Sequence, residues 1–294
     1  MVHGRPLFPR QSDLRPVKAG LRPRGWRERC RTARLAREVQ DRAECLQMVA
    51  FRRGRAARSG HTAAMTLRLH YAPDNASLCI RLALEVRGLG YETALVDRRA
   101  RAHKAAPYLS LNPNGLIPVL ETPEGPMFET GAILLWLADT HGGLGPGPGD
   151  PGRARFLTWL FWLSNTLHAA ERMLFYPGEY HPGQEAALTA QTCARVTAAL
   201  DVLEAASPAL TGCLGGAEPT ILDCYLAPLM RWPAIYAPGS PPGWYDIGRW
   251  PRLRAVVVGF EARPAVQAAA RAEGLGPAPF TAPRPPHPPE GSAT

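Results

Sequence analysis

A proline at position 118 does most to limit what this chain can fold into. It stands in the stretch Asn112 to Asp139, N-P-N-G-L-I-P-V-L-E-T-P-E-G-P-M-F-E-T-G-A-I-L-L-W-L-A-D. Proline donates no ladder hydrogen bond, so it belongs at the start or the edge of a strand. Gly115 reads as a turn, and Leu116 to Glu121 as a short apolar run broken by Pro118. Pro123 to Pro126 makes the next turn, Met127 and Phe128 a brief strand, and Gly131 to Asp139 a helix. A strand that opens on a proline after a glycine turn suits a cis peptide bond. Only about 5–6% of X–Pro bonds are cis, so periodicity alone does not establish one.

Upstream, Leu67-Arg68-Leu69-His70-Tyr71 alternates as a strand, and Ala76 to Arg87 carries Ala76, Ile80, Ala83 and Leu84 at helical spacing. Gly88-Leu89-Gly90 stops that helix, Tyr91 to Val96 makes a second strand, and a short helix is expected around Ala105 to Ser110. The order is strand, helix, strand, helix, strand, strand, helix. Over Thr66 to His141 this resembles the thioredoxin-like, glutathione-binding domain of the glutathione S-transferase family. In that family a Val/Ile-Pro step with a cis bond opens the third strand, and Ile117-Pro118 matches it. The residue before the proline offers its backbone to the cysteinyl part of glutathione. An acidic residue and a Ser/Thr then head the third helix and hold the γ-glutamyl end, and Glu129-Thr130 matches them.

The charges suit that ligand. A γ-glutamyl group carries an ammonium, which Glu129 can pair, and a carboxylate. Thr130, read as the helix N-cap, offers that carboxylate a hydroxyl and an N–H where the helix dipole also favours an anion. Taken singly, Pro118 only starts a strand and Glu129-Thr130 only cap a helix. Both motifs in order, at the family's spacing, carry the glutathione reading.

The resemblance implies chemistry on a thiol. A free thiol has a pKa near ~8.5, and lowering it by about two units takes roughly 2.7 kcal/mol of anion stabilisation. One hydrogen bond to a charged group supplies about 1.5–3 kcal/mol, and a helix N-terminus about 0.3–1. One good donor at the start of the first helix therefore suffices. That position falls within Pro73-Asp74-Asn75-Ala76-Ser77. Serine-type members place a serine near Asp74, and bacterial cysteine-type members a cysteine at Ala76 followed by a serine at Ser77. Some disulfide-reducing relatives use asparagine or threonine in this loop. The chain has neither the usual serine nor the cysteine. Asn75 and Ser77 remain as neutral donors for the catalytic role, and each also reads as an ordinary N-cap. Asp74 is a poor candidate, because its charge opposes a thiolate. Tyr71 and Cys79 read as packing.

Gly142 to Gly152 is a Gly/Pro linker, and beyond it the pattern is helical almost throughout. The expected fold is an α/β thioredoxin-like N-terminal domain at 65–141 followed by an all-α helical C-terminal domain at 153–281. Phe156 to Leu163 is apolar nearly all round, Glu185 to Ala206 is a longer amphipathic helix, and Thr220-Ile221-Leu222-Asp223 is a capping box. Trp159, Trp162, His168, Phe175 and Tyr176 supply an aromatic stripe that suits either a core or the wall of a second-substrate pocket. Residues 282–294 are proline-rich and expected to be disordered.

The formal charge of +9 is not spread evenly. Residues 1–64 hold 16 Lys/Arg against 5 Asp/Glu, which leaves 18 basic and 20 acidic residues in the rest. Three readings fit 1–64: a disordered tail, translated upstream sequence with initiation at Met65, or an Arg-rich targeting or nucleic-acid-binding arm. No run there is apolar enough for a membrane span. For the folded part no nucleic-acid or membrane partner is expected. The cysteines, Cys30, Cys45, Cys79, Cys193, Cys213 and Cys224, form no Cys-x-x-Cys, and the histidines show no metal-ligand spacing. The expectation is a cytoplasmic, metal-free glutathione S-transferase with glutathione as cosubstrate and a small electrophile or disulfide as second substrate. A homodimer is implied by the resemblance alone. The alternatives are a glutathione-dependent disulfide reductase and a non-catalytic interaction module that keeps only the fold.

Overall fold

Leu67, Leu69 and Tyr71 alternate with Arg68 and His70, and that period of two makes β1 (Leu67–Tyr71), its apolar face buried. The computed structural model describes residues 66–293. Segment 1–64, with the three readings given for it, lies outside them. After β1 comes α1 (Ser77–Arg87), which buries Leu78, Ile80, Leu82 and Leu84 and closes at Gly88 in the left-handed region. β2 (Tyr91–Leu95), α2 (Ala106–Leu109), β3 (Val119–Thr122), β4 (Gly125–Met127) and α3 (Thr130–His141) follow. The sheet order is β2–β1–β3–β4. β1 runs parallel to β2 and antiparallel to β3, with Leu69 opposite both Thr93 and Leu120. This is the thioredoxin-like arrangement expected from the order of elements.

The rest is helical. α4 (Arg153–Trp162) passes through a π-helical stretch, Leu163–His168, into α5 (Ala169–Phe175). α6 (Pro177–Tyr180), α7 (Glu185–Ala206), α8 (Ile221–Arg231), α9 (Pro251–Glu261) and α10 (Pro264–Ala272) complete it. The capping box forms before α8: the Thr220 hydroxyl accepts the Leu222 N–H at 3.0 Å, and the Asp223 carboxylate accepts the Thr220 N–H at 2.7 Å. One continuous apolar core runs from Leu69 of the sheet through Leu134 and Leu160 to Phe260 and Phe280.

Residues 282–293 are the proline-rich segment. They form no helix or strand, as their prolines require, yet they are tied down through main-chain and side-chain hydrogen bonds. The Arg284 carbonyl accepts from Arg231, the His287 N–H donates to the Gly274 carbonyl at 2.9 Å, and Glu290 accepts from the Tyr71 hydroxyl. Proline content removes N–H donors from such a segment and leaves its carbonyls available, and those carbonyls find buried partners.

Glu171 on α5 is fully buried, and neither carboxylate oxygen meets a hydrogen-bond partner among the described residues. Burial alone pushes its carboxyl well above the usual carboxylate range. Above the ordinary glutamate pKa, near ~4.3, the unfolded chain loses this proton while the folded chain keeps it, so stability falls as pH rises toward the raised folded value. Glu171→Met removes that dependence. Its advantage in melting temperature over wild type should be smallest near pH 4 and grow as the pH rises to 8. A constant difference across this range would place a water or another donor on Glu171.

Candidate active site

The sheet and the helices enclose a cavity of about 660 Å³. Its sheet-side floor is built from three turns. The first is Asp74-Asn75-Ala76, between β1 and α1. The second is the turn before β3, where the Ile117–Pro118 peptide bond is cis and both residues line the cavity. The approach to it is braced: the Leu116 carbonyl accepts from the Tyr108 hydroxyl and from Asn112 Nδ2, both at 2.8 Å. Gly115 is required there. Its φ is +58°, and a Cβ would stand 2.6 Å from the His103 carbonyl oxygen. The third turn is Glu129-Thr130 at the start of α3.

At that third turn the structure moves the cap by one residue. Glu129, with φ at +70°, is the N-cap, and Thr130 is the first helical residue rather than the cap. The change does not remove Thr130 from its expected place. It lines the cavity, and its N–H is among those at a helix start with no intrahelical acceptor. Glu129 also lines the cavity and is exposed there.

The two thiol candidates separate. Asn75 lines the cavity. Its Oδ1 accepts the Ala76 N–H at 2.9 Å, which leaves the amide NH2 as the available donor. Ser77 does not reach the cavity. It is fully buried, and its hydroxyl donates to the Ala72 carbonyl at 3.1 Å and accepts the Ala72 N–H at 3.3 Å. The reason is the helix start: Ala76 takes the capping position and Ser77 the first turn, so its side chain points back under the loop. The Asp74 carboxylate, discounted for its charge, is buried against Arg231 with Oδ2 2.8 Å from Nη2, so its charge is balanced inside the protein.

The opposite wall comes from the helices. His168, Phe175 and Tyr176 line it as the aromatic stripe suggests, but Trp159 and Trp162 do not. Those two pack on one another, ring centroids 5.1 Å apart, and against the core. Sequence reasoning missed Tyr225, Trp232 and Tyr236, which α8 and the turn after it bring to the same wall. A charged residue closing the apolar run Ile221 to Met230, at Arg231-Trp232, was the available signal for a buried functional end. His168 Nδ1 lies 2.9 Å from the Tyr225 hydroxyl. Burial first, then the nearby Arg172 charge, lowers the imidazole pKa to about 4, so it is neutral at physiological pH. Arg172 and Arg98 also line the cavity.

Residues 65–139 match the family model described as "Glutathione S-transferase, N-terminal domain". Glutathione S-transferase GST-4.5 of Xanthomonas campestris is 30% identical over 214 residues, 71% of this chain and 100% of that protein. The chain belongs to the glutathione S-transferase family. Maleylacetoacetate isomerase of Rhizobium meliloti is 37% identical over 86 residues, 29% of this chain, which thus spans 40% of that relative. A glutathione transferase homolog from Sulfitobacter, solved with bound glutathione, superposes with a TM-score of 0.59 at 25% identity, covering 69% of this chain and 96% of that one. The cis Ile117–Pro118 turn and Glu129 at the start of α3 both lie within the matched residues and at this chain's cavity.

Proposed function

We propose that the cavity binds glutathione and ionises its thiol for attack on an electrophile held against the aromatic wall. The observation that carries this reading is the convergence of Asn75, the cis Ile117–Pro118 turn, Glu129 and Thr130 on one cavity. In this reading Glu129 pairs with the γ-glutamyl ammonium, and the start of α3 at Thr130 receives the γ-glutamyl carboxylate. Ile117 meets the cysteinyl backbone, and the sulfur rests at the Asn75 amide beside the start of α1. Bound glutathione in the Sulfitobacter relative supports the ligand. Once formed, the thiolate gives its electron pair to an electrophilic carbon, and the leaving group departs with the displaced pair.

A second reading shares the first step. The relative named an isomerase favours a reaction in which the thiolate adds to the substrate and is released again unchanged. Stoichiometry separates the two: transfer consumes glutathione one for one, whereas isomerisation returns it.

The test is capture on immobilised glutathione followed by ultraviolet titration of the bound thiolate. Asn75→Ala should raise the bound thiol's pKa by about one to two units, the equivalent of one charge-assisted hydrogen bond. Ser77→Ala should leave that titration unchanged and lower stability by about 1 kcal/mol, because its hydroxyl only closes the β1–α1 turn. Wild-type protein in which bound glutathione titrates like free glutathione would instead favour a non-catalytic binding module.

A further inference from the structure

Asp74 sits at a φ of +50°, one residue before the thiol-side amide of Asn75, and is 4% exposed. Four donors converge on its carboxylate. Arg231 Nε and Trp232 Nε1 reach Oδ1 at 2.8 and 2.9 Å, and Arg231 Nη2 and the Tyr236 hydroxyl reach Oδ2 at 2.8 and 2.6 Å. The main chain is held as well: the Asp74 N–H donates to Glu273 Oε2 at 2.8 Å, and Glu273 Oε1 is paired to Arg81 Nε of α1 at 2.7 Å. Arg231 itself is fully buried and spends its remaining donors on the carbonyls of Pro279 at 2.6 Å and Arg284 at 2.8 Å. Asn75 follows directly, and its carbonyl accepts the Leu78 N–H at 2.8 Å to start α1.

The loop that carries the thiol-side donor is thus suspended from the helical part of the molecule by both a side chain and a main-chain N–H. A bidentate guanidinium fixes direction as well as distance. A left-handed aspartate is a conformation that persists where its surroundings over-determine it, and here they do. Trp232 and Tyr236 each hold Asp74 and also line the cavity wall facing the sulfur position.

We propose that Asp74 and Arg231 are a positioning pair, which aims the Asn75 amide at the glutathione sulfur and balances the carboxylate charge that would otherwise oppose the thiolate. The Asp74 carboxylate is taken up by its four donors, so the pair acts through Asn75. This inference rests on the glutathione reading of the cavity. It makes the helical part a working half of the thiol site as well as a wall for the second substrate.

A pair that served only to pin the fold would behave differently from one that aims a donor. Replacing a buried ion pair by apolar side chains of similar size is often neutral or stabilising, so Asp74→Leu combined with Arg231→Met should fold. Its affinity for glutathione at pH 6, where the thiol is protonated, should stay within about threefold, because Glu129, Thr130 and Ile117 are untouched. The bound thiol's pKa should rise by about one unit or more, with kcat at pH 7 falling about tenfold and the KM for glutathione little changed. A folded double variant with the wild-type thiol titration overturns the proposal and leaves a fold pin. Should the double variant fail to fold, Tyr236→Phe carries the test, since it removes one of four donors and keeps the ion pair. It should move the titration the same way by a fraction of a unit, and no movement overturns the proposal. Wild type that binds glutathione without lowering its thiol pKa refutes the proposed activity itself, a result distinct from both.

Discussion

Arg231→Met should be strongly destabilising. It leaves the Asp74 carboxylate buried with its cation gone, and it strips a donor from the carbonyls of Pro279 and Arg284. Breaking a buried ion pair by removing one partner costs about 3–5 kcal/mol, because the remaining charge is neither solvated nor compensated. For a folded part of this size each kcal/mol lowers the melting temperature by about 2–4 °C, so a fall of roughly 6–20 °C is expected. The exposed pair Arg68–Glu92, at 2.9 Å, provides the control. Arg68→Met should change stability by less than about 1 kcal/mol, since such pairs gain little in water. Denaturant unfolding of both variants checks the contrast. A loss at Arg231 no larger than that at Arg68 would mean that solvent reaches Asp74.

Glu129→Gln should cost glutathione binding about 2–3 kcal/mol, a weakening of roughly 30- to 150-fold. That is the lower part of the range for a desolvated charge pair, because Glu129 is open to solvent before the ligand covers it. Glutamine keeps the shape and the φ of +70° costs both residues alike, so the loss reports the charge opposite the ammonium. The loss should shrink above the pKa of that ammonium, where the ligand no longer carries the positive charge. Calorimetry at two pH values measures both. An affinity unchanged at pH 7 would return Glu129 to a capping role.

What could be read from the chain was local. Ile117-Pro118 and Glu129-Thr130 are adjacent pairs, and their geometry follows from the turn and the helix start on which they sit. The alternation of Leu67, Leu69 and Tyr71 specified a strand, and Thr220 and Asp223 a capped helix, for the same reason. The errors came where one residue of register decides the outcome. Ser77 looked like a donor to the cavity, but a helix that starts at Ser77 itself turns that hydroxyl under the loop. The cap of the next helix moves from Thr130 to Glu129 by the same single step. Asp74 keeps its exclusion as a thiol donor, but its pairing was not legible: its partner is 157 positions away, and no local pattern announces it. Residues 282–293 combine both lessons. Their prolines exclude regular structure, and the distant donors their carbonyls meet cannot be read from the chain.

The apolar core that runs unbroken from the sheet into the helices has a bearing on how molecules get in and out. Proteins that clasp a ligand between two lobes rely on a seam that can part, with a few hinge residues absorbing the motion. Here a parting of the two halves would split the shared apolar core, and would break the buried pairs Asp74–Arg231 and Arg81–Glu273 together. The cost of such a rupture lies far above that of swinging a side chain. Traffic should therefore pass through the standing mouth of the cavity, whose lining includes Arg98, Arg172 and Tyr176. Turnover would then be paced by side-chain motion and ligand dissociation rather than by an opening and closing of the whole molecule.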